Sequence, residues 1–231
     1  MRINKDFFLL SSPIAHRGLW NDTIVENSLL AYQNAVAHGY PIEIDLYSSK
    51  DGEIVCFHDD TLSRMTGKDG YVYEKTLSEL KELSLQNSTQ KIPTLKEVLS
   101  LVNGKVPLLI ELKDQPDKSY IARAVQILKN YKGEFAIQSF NPMYLLKIKK
   151  LAPEFIIGIL GTNTPPKEKN FIIRKIVKNL SVKLLTKFAL CGMIVYNRGR
   201  SGVCVFWHKQ NFENTKENGG NLWRRTAQLV R

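Results

Sequence analysis

The sequence predicts an α/β fold of the TIM (β/α)8 type, a single domain over residues 1–231, on three observations. A chain of 231 residues suits one sizeable core closed as a barrel. Its first two-thirds alternate strand-like with helix-like segments, the pattern of a parallel sheet covered by helices. Two of the strand-like segments carry carboxylates on one face and aliphatic side chains on the other, as a wall between a lumen and covering helices requires.

Taken in order, Ser12–His16 reads as a short first strand. The residues before it imitate a targeting segment only faintly, because the apolar stretch Phe7–Leu10 is short and Asp6 interrupts the basic flank. Asn27 or Ser28 can cap a helix that runs to about His38 and stops at Gly39. Pro41–Tyr47 is a strand, and the Asp51-Gly52 turn leads into a second run, Glu53–His58. Residues 59–92 are polar and Gly-containing, with one short helix near Leu77–Leu83, and read as an insertion after the strand pair. Thr94 caps a helix to about Val102; strands at Val106–Lys113 and Phe135–Phe140 flank a helix at Ser119–Tyr131. Pro142–Leu151 opens with proline at a helix start, and Phe155–Leu160 is the next strand. A loop at Gly161–Asn170 and a basic, apolar helix to about Lys187 follow. Gly192–Tyr196 and Val203–Trp207 are two further strands, with a helix near Phe212–Asn218 and no persuasive strand in Leu222–Arg231. The C-terminal strands are therefore expected to be divergent or incomplete.

Composition narrows the class. With 43% hydrophobic and 24% charged residues the chain is of ordinary globular type, and no apolar run approaches the ~20 residues that span a bilayer. Cys56, Cys191 and Cys204 form neither a CxxC pair nor an even framework, which fits a reducing cytoplasm. Charge is uneven: residues 1–120 hold 13 Lys and Arg against 17 Asp and Glu, whereas residues 121–231 hold 20 against 5. A basic half suits an anionic substrate or peripheral contact with an anionic membrane, and equally a solvated lysine-rich face. No aromatic-basic reading element accompanies it, so a nucleic-acid partner is not expected.

The chemistry concentrates on strand ends. In Ile42-Glu43-Ile44-Asp45-Leu46 the side chains alternate, so both acids share the face opposite the aliphatics. Glu111 and Lys113 share a face in the same way. Three inward carboxylates repel one another and resist desolvation. A hard divalent cation removes that repulsion; salt bridges to Lys113 and Arg17 are the competing reading, and the matching parity of all three acids favours the cation. His16-Arg17 and His58-Asp59 close two strand-like runs. A histidine there can exchange protons near neutral pH, Asp59 can orient the ring of His58, and Arg17 can clamp a phosphate. His38, near a helix end, and His208 read as structural. Two acid/base groups, a cation site and a basic clamp suit hydrolysis of a phosphate ester.

At this point the sequence resembles a known family. Ile14-Ala15-His16-Arg17-Gly18, Glu26-Asn27-Ser28, Glu43-Ile44-Asp45, His58-Asp59, Ile92-Pro93-Thr94-Leu95 and Ile110-Glu111-Leu112-Lys113 resemble, in order, the motifs of the glycerophosphodiester phosphodiesterases. The resemblance covers about residues 12–140 and ends on Gln138-Ser139-Phe140. It implies a TIM barrel with a small insertion after the second strand, and metal-dependent hydrolysis of small-molecule glycerophosphodiesters to sn-glycerol 3-phosphate and an alcohol. It implies His16 and His58 as the acid/base pair, and Glu43, Asp45 and Glu111 as ligands for Mg²⁺ or Ca²⁺. Arg17 and Lys113 would contact phosphate, and Glu26 and Asn27 would support the first-strand loop. Beyond residue 150 the pattern departs: Val205-Phe206-Trp207-His208 stands where the family places a Trp-Thr strand, and its Asp-Gly segment is missing. Two rival readings are a lysophospholipase D acting on an acyl-bearing diester and a degenerate, non-catalytic barrel. The intact acids and histidines speak against the second.

Overall fold

A computed structural model describes residues 7–161, 193–198 and 202–207. The chain divides into two compact units, Ser12–Phe155 and Met1–Ser11 with Ile156–Arg231. The expected helices through about Lys187 and near Phe212–Asn218, and the segment Leu222–Arg231, lie outside the described residues.

Phe8–Ser11 forms a single helical turn, α1. The first strand is shorter than the sequence suggests: β1 covers only Ala15–His16, since its pairing with β2 begins at Ala15 and Ile42. The helix α2 (Leu29–Ala37) starts where the Ser28 hydroxyl accepts the Ala31 amide, and ends at Gly39, whose φ of +71° only glycine adopts freely. The strand β2 (Ile42–Ser48) is buried along its whole length. Its antiparallel partner β3 (Ile54–Cys56) pairs Leu46 with Cys56 and Ser48 with Ile54.

Three local elements follow in the insertion: α3 (Ser63–Thr66), a 3₁₀ turn at Val72–Glu74, and α4 (Leu77–Glu82). Of these, α4 answers to the short helix expected near Leu77–Leu83, and the structure starts it with a capping box of Thr76 and Glu79. Leu62, Met65, Val72, Leu80 and Leu85 pack with Tyr47, Val55 and Phe57 in one buried cluster. The insertion is thus anchored on β2 and β3 by a core of its own.

The alternation then runs as read. A capping box of Thr94 and Glu97 starts α5 (Leu95–Val102), and Asn103 closes it in the left-handed conformation. β4 (Leu108–Leu112), α6 (Tyr120–Lys129), β5 (Phe135–Ser139) and α7 (Pro142–Leu151) follow. β1, β2, β4 and β5 are parallel neighbours in that order. Register decides what matters for function. His16 stands beside Glu43, and Asp45 stands beside Glu111, which stands beside Gln138.

In the other unit, β6 (Ile157–Gly161), β7 (Met193–Arg198) and β8 (Gly202–Trp207) depart from the repeat. β8 is antiparallel to both β6 and β7. Only residues 199–201 separate β7 from β8, and a parallel return needs a crossover of about a dozen residues or more. The C-terminal divergence is therefore a change of strand direction. Among the described residues no helix is long and apolar enough to cross a membrane.

Candidate active site

Glu43, Asp45 and Glu111 offer oxygens that all lie within 4.8 Å of one another, and all three side chains are buried. Period-two alternation turns Glu43 and Asp45 to one side of β2, and the in-register pairing of Asp45 with Glu111 brings the third acid alongside. Three buried charges of one sign need compensation. Lys113 supplies part of it, bonding Glu111 Oε1 at 2.7 Å and lying 3.0 Å from Asp45 Oδ1, an ion-pair contact in which Oδ1 makes no well-directed hydrogen bond. Burial would raise the Asp45 carboxyl, but Lys113, His58 and Asn27 together hold it below the usual carboxylate range. The same two acids hold the Lys113 ammonium above its ordinary value against the opposing effect of burial.

Arg17 is the second cation. Its Nε is buried without a hydrogen bond, 4.0 Å from Asp45 Oδ2, while its Nη1 donates to Glu26 Oε1 at 2.9 Å. The loop after β1 is held in an unusual shape: Arg17 and Asn27 both have positive φ, 61° and 51°. Such residues cost roughly 1–3 kcal/mol each and persist only where their surroundings insist. Here the Arg17 amide donates to Glu43 Oε2 at 3.1 Å and the Asn27 amide to the Arg17 carbonyl at 2.9 Å. The Asn27 side chain donates to Asp45 Oδ2 at 3.1 Å and accepts from the Tyr32 hydroxyl at 2.7 Å. Glu26 and Asn27 thus both touch residues of the site, Glu26 through Arg17 and Asn27 through Asp45. Gly18 is required in the same loop. Its φ is +86°, and a Cβ there would lie 2.8 Å from the Ala31 Cβ and 2.9 Å from the Ala31 backbone carbon. Gly18→Ala is expected to cost roughly 1–3 kcal/mol in urea unfolding, from strain alone; an unchanged midpoint would show that the loop relaxes freely.

The two histidines meet at this place. The Phe57 amide donates to the Asp45 carbonyl at 3.0 Å, which extends the β2–β3 pairing and carries His58 to the acids. The rings of His16 and His58 stand edge to face, centroids 6.5 Å apart, and His16 Nε2 is 3.8 Å from Glu43 Oε2. His58 Nδ1 is 2.7 Å from Asp59 Oδ1. A carboxylate only accepts, so Nδ1 carries the proton and Nε2 of the neutral ring is left as the base. Burial lowers the His58 imidazole from its ordinary value, although Asp45 and Asp59 pull the other way. His38, exposed, closes α2 through contacts to the Asn34 carbonyl, as a structural histidine would; His208 lies outside the described residues.

Every site residue read from the sequence therefore converges in space. Lys113 is placed among the carboxylates, so the salt-bridge reading holds for it in part; two cations do not balance three buried acids when one, Arg17, is shared with Glu26. An all-oxygen donor set of this kind fits a hard divalent cation. Sequence reasoning missed Tyr32, Gln138 and Arg64. Tyr32 sits on the buried face of α2 between Ala31 and Ala35 and reads as core. Gln138 stands beside Glu111 in register, and its advance signal was that it alternates with Ile137 along β5 as Glu111 does with Ile110 along β4. No local signal marks Arg64, which joins Asp59 to Glu26.

A sequence model of the glycerophosphoryl diester phosphodiesterase family matches residues 16–211. The chain is similar to the glycerophosphodiester phosphodiesterase of Caldanaerobacter subterraneus subsp. tengcongensis, 35% identical over 161 residues covering 64% of this chain and 65% of that protein. It is also similar to human glycerophosphodiester phosphodiesterase 1, 29% identical over 64% of this chain and 48% of that one. The chain thus spans less than two-thirds of the length of these curated relatives. Among solved structures, a phosphodiesterase of Oleispira antarctica in complex with its product sn-glycerol 3-phosphate superposes with a TM-score of 0.60 at 32% identity, covering 74% and 72% of the two chains. A glycerophosphodiester phosphodiesterase of Thermotoga maritima gives 0.53 at 27% identity, covering 74% and 69%. The fold is accordingly of the TIM-barrel type with divergent C-terminal strands. With a match over residues 16–211, this chain belongs to the glycerophosphoryl diester phosphodiesterase family.

Proposed function

We propose that the protein hydrolyses glycerophosphodiesters to sn-glycerol 3-phosphate and an alcohol, with Glu43, Asp45 and Glu111 holding Mg²⁺ or Ca²⁺. One observation carries this reading: two imidazoles 6.5 Å apart stand against three buried carboxylates within 4.8 Å of one another. The product complex of the Oleispira antarctica relative supports the substrate class. The match across residues 16–211 supports one barrel domain, and the basic C-terminal half suits an anionic substrate. The cysteine usage suits a cytoplasmic location.

His58, its Nδ1 proton held by Asp59, offers Nε2 to take the proton of the attacking hydroxyl, either water, which gives glycerol 3-phosphate directly, or the neighbouring glycerol hydroxyl, which gives a cyclic phosphate that water must then open. The new oxygen–phosphorus bond forms as the bond to the leaving alcohol breaks, and His16 protonates the departing oxygen. Arg17 and Lys113 contact the phosphate and hold it between the two rings. A bound cation would draw off the charge that builds on a non-bridging phosphate oxygen. Release of glycerol 3-phosphate from glycerophosphocholine, followed by a coupled dehydrogenase with and without EDTA, tests this. No release in the presence of added Mg²⁺ or Ca²⁺ rejects it.

A second reading, an acyl-bearing diester of the lysophospholipid class, is favoured by apolar side chains near the strand ends. Trp20 follows β1, Phe140 follows β5 and Met143 lies in the first turn of α7, and they are 48%, 46% and 64% exposed. Faster turnover of lysophosphatidylcholine than of glycerophosphocholine selects that reading; the reverse selects the first.

A further inference from the structure

Arg64, in the insertion, ties the two halves of the site together. Its Nε donates to Asp59 Oδ2 and its Nη2 to Asp59 Oδ1 at 3.0 Å. The same Nη2 donates to Glu26 Oε1 at 2.5 Å. Asp59 Oδ1 is the atom that holds His58 Nδ1, and Glu26 Oε1 is the atom that holds Arg17 Nη1. A continuous run of contacts therefore links an acid/base ring, through Asp59, Arg64 and Glu26, to the guanidinium set against Asp45. We infer that Arg64 is a positioning residue for the reaction, holding the His58 ring and the Arg17 guanidinium in one register through Asp59 and Glu26. This rests on the proposed roles of His58 and Arg17.

The physical case is that a planar guanidinium with several fixed donors can face two carboxylates at once, which an ammonium on a flexible stem does poorly. Glu26 and Asp59 have side chains 9% and 21% exposed, whereas that of Arg64 is 45% exposed. The acceptors are thus sheltered more than an ordinary surface pair, for which the expected contribution is small. Without Arg64, Asp59 loses two of its donors and is free to rotate, and the ring of His58 is no longer held to one tautomer. The insertion then has a catalytic reason for its own core. The packing of Leu62 and Met65 fixes the position of α3, and hence of Arg64.

The test compares wild type with Arg64→Gln, Arg64→Lys, Arg64→Ala and the pair Asp59→Asn and Asp59→Asn/Arg64→Gln. Turnover of glycerophosphocholine is followed together with thermal midpoints and ¹⁵N spectra of histidine-labelled protein, His58 being assigned through His58→Ala. Arg64→Gln is expected to lower kcat about tenfold, in the range seen when groups that orient a ligand are removed, with little change in thermal midpoint. Lysine should restore little. Arg64→Gln should cost clearly less on top of Asp59→Asn than it does alone, the remainder reporting the arm through Glu26 to Arg17, and added guanidinium should restore part of the activity of Arg64→Ala. The His58 spectrum should lose its single Nδ1–H tautomer in Arg64→Gln. The inference is overturned by wild-type kcat in Arg64→Gln, or by a kcat loss that tracks a lowered midpoint with no rescue and an unchanged His58 tautomer. The spectra require no turnover. Should the wild type release no glycerol 3-phosphate, the functional reading fails while the tautomer still decides the role of Arg64.

Discussion

Replacing His58 with alanine is expected to lower turnover of glycerophosphocholine by roughly a hundredfold or more, the usual contribution of a well-placed acid or base. The geometry argues for an effect on kcat. His58 is oriented by Asp59 at 2.7 Å, and burial keeps its ring in the neutral form that can take a proton. His16→Ala should fall in the same range by removing the group that protonates the leaving alcohol. His16 is the more exposed ring, its side chain 45% accessible. The predicted split is that a substrate with a more acidic leaving group, such as a nitrophenyl ester, rescues His16→Ala but not His58→Ala. Rescue of His58→Ala alone would reverse the assigned roles, equal rescue of both would abolish the split, and a wild-type rate in either variant removes that histidine from the scheme.

The second large effect concerns the acids. Asp45→Asn and Glu43→Gln keep size and shape while removing a charge, and each is expected to raise the metal concentration needed for half-maximal activity more than about tenfold. That is the low end of what is lost when even an outer partner of a ligand is removed. A readout independent of catalysis accompanies it. A ligand that binds only the folded protein stabilises it by about 2.7 kcal/mol at a hundred times its dissociation constant, so Mg²⁺ or Ca²⁺ should raise the thermal midpoint of wild type and much less that of Asp45→Asn. Asp45 is the more informative position because Asn27, Lys113 and Arg17 all converge on it. Its neutralisation also leaves the buried Lys113 with Glu111 as its remaining acidic partner. A variant with an unchanged metal requirement and an unchanged metal-induced shift would show that the trio is a salt-bridge cluster and nothing more.

How far the site could be read in advance depended on the range of the interactions involved. The parity of Glu43 with Asp45 is a property of one strand and needs no tertiary information. The caps at Ser28, Thr76 and Thr94 are equally local, each a side chain accepting from an amide three residues on. β1 is shorter than its composition suggests because its length is set by pairing with β2, which begins only at Ala15 and Ile42, and Pro13 brings no amide to a ladder. The small helix α3 escaped notice because four residues carry no period, and its stability comes from Leu62 and Met65 entering a cluster with residues of β2 and β3. The direction of β8 was likewise invisible in its own composition, though the three-residue gap before it implies a hairpin.

Strand ends bearing acids and histidines, the order of the alternating elements and the existence of an insertion were all set by local sequence, since alternation, capping and turn chemistry act over a few residues. Tertiary structure alone decided that Asp45 stands beside Glu111, that the ring of His58 comes to rest 6.5 Å from that of His16, and that Arg64 reaches back to Glu26. These contacts join residues far apart in the chain. Their geometry is set by strand register and by the packing of the insertion, neither of which any single segment encodes.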